Sequence, residues 1–376
     1  MERRSFFKNL SAIGGSTLLG GCVSSGNKKS KGVKAVEKKD GNADPKMRGP
    51  FPILSTPYEE SGDVDYKTLA KEAKFVSDSG CNMIWPLSND AIDLLSDDEK
   101  FKGMEAIAQV LQNSKSTIAF GCSGKNTEQM VKYVKHIEKI AQKYKKTNIA
   151  LVSRPSDDTK TQDDVKKYFL ELQKHTERPT IIQTVNLSCK IKSINVDLLI
   201  DLAKQNPKVF GYVKEETGNA IECNARMAKE VAAKPIIHAV YSAWGGWQWL
   251  YQSRRIGSEG LVTERAVYAD LLAYIWERME NGDADGTLSD AFAKLLLAFN
   301  FTYYSKGGTL SHLRGAHLYV GQKRGIFKNR ISREYALQKG KQVIPPKPII
   351  SNFEMTQQQM DEIDTCLECL SPYFKI

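Results

Sequence analysis

From residue 52 onward the sequence repeats one unit: a short apolar run, a turn, then ten or more residues whose apolar positions recur on one helical face. Strands are expected near Pro52–Thr56, Met83–Pro86, Ser116–Gly121, Asn148–Ser153, Thr180–Val185, Val209–Lys214, Pro235–Ala239 and Gly260–Val262. Helices are expected over Asp65–Asp78, Ser96–Gln112, Thr127–Lys143, Gln162–His175, Asn195–Gln205 and Asn219–Ala232. Strands separated by helices must pair in parallel, because each crossover returns the chain in the same direction. Eight such units over about 210 residues imply an α/β fold of the (β/α)8 TIM-barrel type, with chemistry at the C-terminal ends of the strands. An open doubly wound sheet would carry a phosphate-binding glycine loop after its first strand, and Ser55-Thr56-Pro57-Tyr58 is not one.

The pattern divides the chain into a barrel at 48–285 and an appended C-terminal helical region at 286–376. After the eighth strand, helices are expected over Tyr268–Met279, Leu288–Tyr303 and Thr356–Leu370, with a less regular, Arg-, Lys- and Gly-rich segment between Leu310 and Lys347. The 376 residues, 41% hydrophobic and 26% charged, suit one large core.

Residues 1–22 read as a targeting segment. Arg3-Arg4-Ser5-Phe6-Phe7-Lys8 precedes an apolar run from Leu10 to Gly21, too short and glycine-rich to span a bilayer, which ends at Leu19-Gly20-Gly21-Cys22. The paired arginines resemble a twin-arginine signal, and Cys22 matches a lipobox cysteine, the residue that is acylated. Residues 23–47 read as a flexible linker, since Val23–Lys46 has almost no large apolar side chains. The chain is thus expected to be exported, in the periplasm or on the outer face of a bacterial membrane, and held by a lipid anchor. The formal charge of +10 has a local origin: seven lysines from Lys28 to Lys46 face only Glu37, Asp40 and Asp44. With no basic stripe interleaved with aromatics, nucleic-acid binding is excluded. Cys366 and Cys369 form a C-x-x-C on one helical face, which burial explains as well as redox chemistry does; with no second ligand pair nearby, a zinc site is rejected.

The chemistry concentrates in Val209-Phe210-Gly211-Tyr212-Val213-Lys214-Glu215-Glu216-Thr217-Gly218-Asn219. A lysine closing an apolar strand points its amine into the barrel mouth, where desolvation favours the neutral form that attacks a ketone. On the bare pattern a solvated lysine at a strand end is the commoner case. The stretch Val-Lys-Glu-Glu-Thr-Gly-Asn resembles the lysine motif of the dihydrodipicolinate synthase and N-acetylneuraminate lyase family of class I aldolases, and it falls on the sixth strand as in that family. Ser55-Thr56-Pro57-Tyr58, Ser61-Gly62-Asp63-Val64-Asp65, Gly121-Cys122-Ser123-Gly124 and Gly260-Leu261-Val262-Thr263 follow the family in order, so the likeness covers roughly residues 50 to 300. The resemblance implies that Lys214 condenses with the keto group of pyruvate, another 2-keto acid or a keto-sugar acid, without a cofactor or metal. It also implies a homo-oligomer.

Two departures stand out. Where relatives carry Gly-Thr-Thr-Gly-Glu to hold the substrate carboxylate, this chain has Leu87-Ser88-Asn89-Asp90-Ala91; Ser88 and Asn89 keep hydrogen-bonding capacity, but both glycines are gone. Where relatives place a proton-shuttling tyrosine after the fourth strand, Val152-Ser153-Arg154-Pro155-Ser156-Asp157-Asp158 has none, and Asp157 falls nearest. Candidate replacements are Asp157, Tyr212 on the same strand face as Lys214, and His238 at the end of strand seven. Arg154 offers a partner for an anionic substrate group. The aromatics Tyr241, Trp244, Trp247, Trp249 and Tyr251 suit either packing or stacking on a sugar. Two readings therefore stay open: an exported Schiff-base lyase or aldolase, and a lipid-anchored protein that binds keto acids without turning them over.

Overall fold

The computed structural model describes residues 44–87, 92–264, 266–299, 310–339, 341–352 and 354–374. Strands and helices alternate as β1 (Gly49–Pro52), α1 (Tyr66–Asp78), β2 (Met83–Trp85), α2 (Asp97–Val110), β3 (Thr117–Gly121), α3 (Thr127–Lys143), β4 (Asn148–Ser153) and α4 (Gln162–Leu172). They continue as β5 (Thr180–Gln183), α5 (Val196–Gln205), the single turn α6 (Pro207–Phe210), β6 (Tyr212–Lys214), α7 (Ala220–Ala232), β7 (Ala239–Tyr241), the short α8 (Trp249–Tyr251) and β8 (Gly260–Thr263). Strands β2 to β7 form one parallel sheet in chain order, and β1 pairs in parallel with β8. Parallel bridges between Ile53 and Ile84 and between Ser242 and Leu261 join the two sheets at both seams, closing the eight-fold barrel.

Strand alternation sorts the core into two layers. Phe51, Ile84, Ala119, Val152, Ile181, Tyr212, Ala239, Tyr241 and Val262 fill the barrel interior. Their neighbours Phe120, Leu151, Ile182, Val213, Val240 and Leu261 face the helices. The period of two is what sends successive side chains to opposite layers. Helix starts are fixed locally: Ser96 with Glu99 and Thr161 with Asp164 form reciprocal capping boxes before α2 and α4. Met47, 2% exposed, packs inside the barrel at the end where β1 begins.

Three strands differ clearly from expectation: β1 ends at Pro52, where the strand expected over Pro52–Thr56 begins, because Gly49–Pro52 is the stretch that pairs with Gly260–Thr263, and β6 and β7 both start later than expected. Residues 207–210 turn as α6 instead of extending β6, because the Asn206 side chain accepts from the Val209 N–H and Pro207 occupies the first helical position. Strand β7 begins at Ala239, because Ile236 and Ile237 donate back to the Ala233 carbonyl and prolong the turn after α7. His238 therefore precedes β7 rather than closing it.

After β8 come α9 (Ala269–Asn281), α10 (Leu288–Phe299) and α11 (Leu310–Lys323), then β9 (Ile331–Glu334), β10 (Ala336–Gln338), β11 (Lys341–Val343), β12 (Ile349–Asn352) and α12 (Gln357–Leu370). The C-terminal region is thus not purely helical, and the segment expected to be irregular holds α11, β9 and the antiparallel pair β10–β11, with β9 pairing antiparallel to β12 just beyond it. Arg333 on β9 fastens this region to the barrel: its guanidinium donates to Gly62 and Leu94 carbonyls and forks onto Glu99 at 3.1 and 2.6 Å. Cys366 packs partly against the core from α12, while Cys369 is exposed.

Candidate active site at the mouth of the barrel

Lys214 is the last residue of β6. Tyr212 faces the barrel interior and Val213 the helices, so Lys214 returns to the interior face. It is 2% exposed, and its Nζ lies 2.9 Å from Glu216 Oε2. The amine is therefore withdrawn from solvent and held at the end of the barrel where this fold places its chemistry.

The two glutamates after it divide their work. Glu215, fully buried, turns the other way: its carboxylate accepts from Arg226 Nε at 3.0 Å, the Thr217 N–H at 2.6 Å and Thr184 Oγ1 at 3.2 Å. Behind it Glu230 on α7 is buried, and burial together with the Glu215 charge raises its pKa well above the usual carboxylate value. Glu216 is held by its backbone, which donates to Thr184 Oγ1 and accepts from the Trp244 indole N–H at 2.9 Å. Across the strand, Gln183 pairs in register with Lys214 and follows Ile181 on the inner face; its buried side-chain amide oxygen has no hydrogen-bond partner among the described residues.

A cavity of about 190 Å³ opens over the ends of β2 to β4, walled by Leu87, Lys100, Ser123, Arg154 and Asp157 among others. Lys214 is not part of its wall. Lys100 is 7% exposed, its amine 3.4 Å from the Tyr133 hydroxyl, and burial lowers its pKa. Arg154 and Asp157 meet here, with Arg154 Nη2 at 3.6 Å from Asp157 Oδ1, and Asn186 Nδ2 donates to the same oxygen at 2.9 Å.

The expected residues thus separate into three places. Lys214 stands with Glu216 under the β5–β7 side of the mouth, and Arg154 with Asp157 stand over β2–β4. Tyr212 and His238 lie at the opposite, N-terminal end, with their rings edge-to-face at 5.4 Å. Burial pushes the Tyr212 hydroxyl up to about 12, with Asp44 and Glu259, both outside the mouth, as its charged neighbours. Burial lowers the pKa of His238. Tyr212 and His238 are thus grouped with each other and with Asp44 and Glu259; Ala150 and Val152, the inward residues of β4, are aliphatic. Ser88, Asn89 and Cys22 lie outside the described residues.

Sequence reading passed over Glu216, Gln183 and Lys100. Glu216 and Gln183 could have been found by continuing the inward-facing alternation of β6 and β5 past the apolar residues. The aromatic cluster divides by burial: Trp249 and Tyr241 are fully buried and pack, whereas Trp244, Trp247 and Tyr251 are 53%, 65% and 54% exposed. Trp244 also holds a left-handed backbone at φ 54°, uncommon for a bulky side chain. Among the described residues, no group of three or more His, Cys, Asp or Glu is placed to hold a metal ion, and no helix is long and apolar enough to cross a membrane.

The sequence matches the model of the dihydrodipicolinate synthetase family over residues 46–316. Among solved structures, a sialic acid aldolase from Ruminococcus gnavus superposes with a TM-score of 0.68 at 13% identity, covering 87% of this chain and 98% of that one. Dihydrodipicolinate synthases from Agrobacterium tumefaciens and Aquifex aeolicus each give a TM-score of 0.65. The first is 18% identical, with 86% of this chain and 98% of that one covered; the second is 16% identical, with 88% and 100% covered. At these identities the likeness is one of fold. No curated protein matches the sequence significantly.

Proposed function

The chain belongs to the dihydrodipicolinate synthetase family, and from that premise we propose that it is a Schiff-base-forming lyase or aldolase in which Lys214 condenses with the keto group of its substrate. The substrate is pyruvate, a related 2-keto acid or a keto-sugar acid. Its structural neighbours include both a sialic acid aldolase and dihydrodipicolinate synthases, which suits this range. The protein works outside the cytoplasm, tethered by a lipid on Cys22, a reading that rests on the sequence of its first 22 residues.

One observation carries the proposal: a lysine amine, 2% exposed, on the interior face at the C-terminal end of β6. A primary amine sheltered from water in a barrel mouth is the group that forms an imine, and the protonated imine then draws electrons from the adjacent carbon–carbon bond. Arg154, beside the cavity over β2–β4, offers a bidentate partner to a carboxylate.

The test is borohydride reduction in the presence of pyruvate or N-acetylneuraminate, followed by mass spectrometry of the Lys214 peptide. A stable adduct on Lys214, absent in Lys214→Ala, is the expected result. Failure to trap any of a panel of keto acids, or trapping at another lysine, overturns the proposal. The aliphatic inward residues of β4 favour a second reading, a protein that forms the imine and stops there. An adduct without turnover would select it.

A further inference from the structure

Two consecutive glutamates follow Lys214, and the structure gives them opposite environments. Glu215 spends its carboxylate on Arg226, Thr217 and Thr184 and is fully buried. Glu216 has one oxygen 2.9 Å from Lys214 Nζ, is the single carboxylate within ion-pair distance of that amine among the described residues, and keeps 13% of its side chain exposed. Asp157 is occupied elsewhere, by Asn186 and Arg154. We infer that Glu216 is the general acid and base for imine formation on Lys214, the role left vacant by the absent tyrosine after β4. This deepens the functional reading above and rests on it.

The chemistry balances with the groups present. Lys214 and Glu216 meet as an ammonium and a carboxylate, and an ammonium has no lone pair with which to attack. When a keto acid enters, the Lys214 proton passes to Glu216, and the free amine adds to the carbonyl carbon. The carbonyl π electrons move to oxygen, which takes a proton from Glu216, while the new ammonium centre returns one to it. Glu216 then protonates the hydroxyl as nitrogen's lone pair expels it. One water leaves, a protonated imine remains, and Glu216 ends as a carboxylate beside it, ready to accept the proton released in the following carbon–carbon step. At 2.9 Å the carboxylate is within direct transfer distance of Nζ, so no relay is needed. The partial exposure of Glu216 lets it exchange protons with solvent between turnovers.

Its position is built from outside the motif. The Trp244 indole N–H and the Thr184 hydroxyl grip its backbone on either side. Rigid backbone support of this kind fixes the angle at which a short carboxylate meets its partner, which general acid–base catalysis requires.

The experiment measures the rate of borohydride-trapped adduct formation with pyruvate in the full chain and in Glu216→Gln, Glu216→Asp and Glu216→Ala. A fall of about 100-fold or more is expected for the Gln variant, in keeping with the usual worth of a positioned acid or base. A smaller fall is expected for Asp. Formate added to Glu216→Ala should restore part of the lost rate, which a structural role could not explain and which needs only a variant that still traps some adduct. Wild-type adduct with a Gln variant trapping within threefold of the wild-type rate overturns this inference and leaves the functional reading standing. A wild type that forms no adduct overturns both.

Discussion

Glu230 sits on the inner side of α7, four residues after the Arg226 that binds Glu215. Burial, then the Glu215 charge, raises its pKa well above the ordinary value, with Arg226 pulling the other way. The raised value makes a stability claim with a definite sign. Below about pH 4 both folded and unfolded chains carry this proton. As pH rises, the unfolded chain releases it while the folded chain keeps it, so the folded state binds more protons and stability falls until the folded pKa is passed. Glu230→Gln keeps the shape and has no proton to lose. Thermal unfolding at pH 5 and pH 8 should therefore show a smaller drop in Tm for the variant, by about 2 °C or more, the size that roughly 1 kcal/mol makes in a large domain. Parallel curves for the two proteins would refute this. The same neighbourhood shows what a motif conceals. Lys214 was legible because it ends an apolar strand inside a familiar run of residues. Which of Glu215 and Glu216 serves it was not, because the deciding partners are Arg226 on the next helix and Thr184 on the previous strand's loop. Tyr212 was assigned the correct strand face, but two residues along a strand is about 6.6 Å, and that offset directs its hydroxyl toward the far end of the barrel.

At the scale of elements, β3, β4 and α3 appear where apolar periodicity and capping residues put them, since a buried strand and a capped amphipathic helix are both specified by local sequence. The exceptions are elements whose partners are remote. Strand β9 pairs with β12, Ile331 opposite Asn352 and Glu334 opposite Ile349, across an intervening hairpin, and neither strand has an apolar run long enough to announce itself. What holds this pair against the barrel is Arg333, whose side chain is 6% exposed and whose fork spans both Glu99 oxygens near the start of α2. Burial opposes the Glu99 charge, but the Arg333 and Ser96 hydrogen bonds win and lower its pKa. Arg333→Ala strands that carboxylate and frees two carbonyls, at a cost of about 3 kcal/mol as for other interrupted buried pairs. Arg333→Lys should recover less than half, since an ammonium cannot bridge both oxygens and reach Gly62 and Leu94 as well. Denaturant midpoints for the three proteins decide the matter; a Lys variant as stable as wild type would show that charge alone does the fastening.

For the molecule as a whole, the eight-fold barrel was readable from one repeated unit, because strand–helix alternation leaves few topologies and closure follows from the count. Its working polarity follows too: the chain enters beside Met47 at one end, and Lys214 stands at the other. The first 43 residues carry the rest of the argument in sequence alone. Their lysine-rich stretch and their Cys22 give two distinct physical reasons for a protein to be found on a membrane. Attraction of a net +4 segment to anionic headgroups is screened by salt, with a Debye length of about 3 Å at 1 M. An acylated cysteine holds by burial of hydrocarbon, about 0.8 kcal/mol per methylene, and salt does not loosen it. Expressed in a bacterium that exports twin-arginine substrates, the protein should therefore remain with membranes through a 1 M salt wash and leave them in detergent. Cys22→Ala should shift most of it to the soluble fraction, and Arg3→Lys with Arg4→Lys should keep it inside the cytoplasm. Release of the wild type by salt alone would assign the attachment to the lysines and remove the lipid from the account.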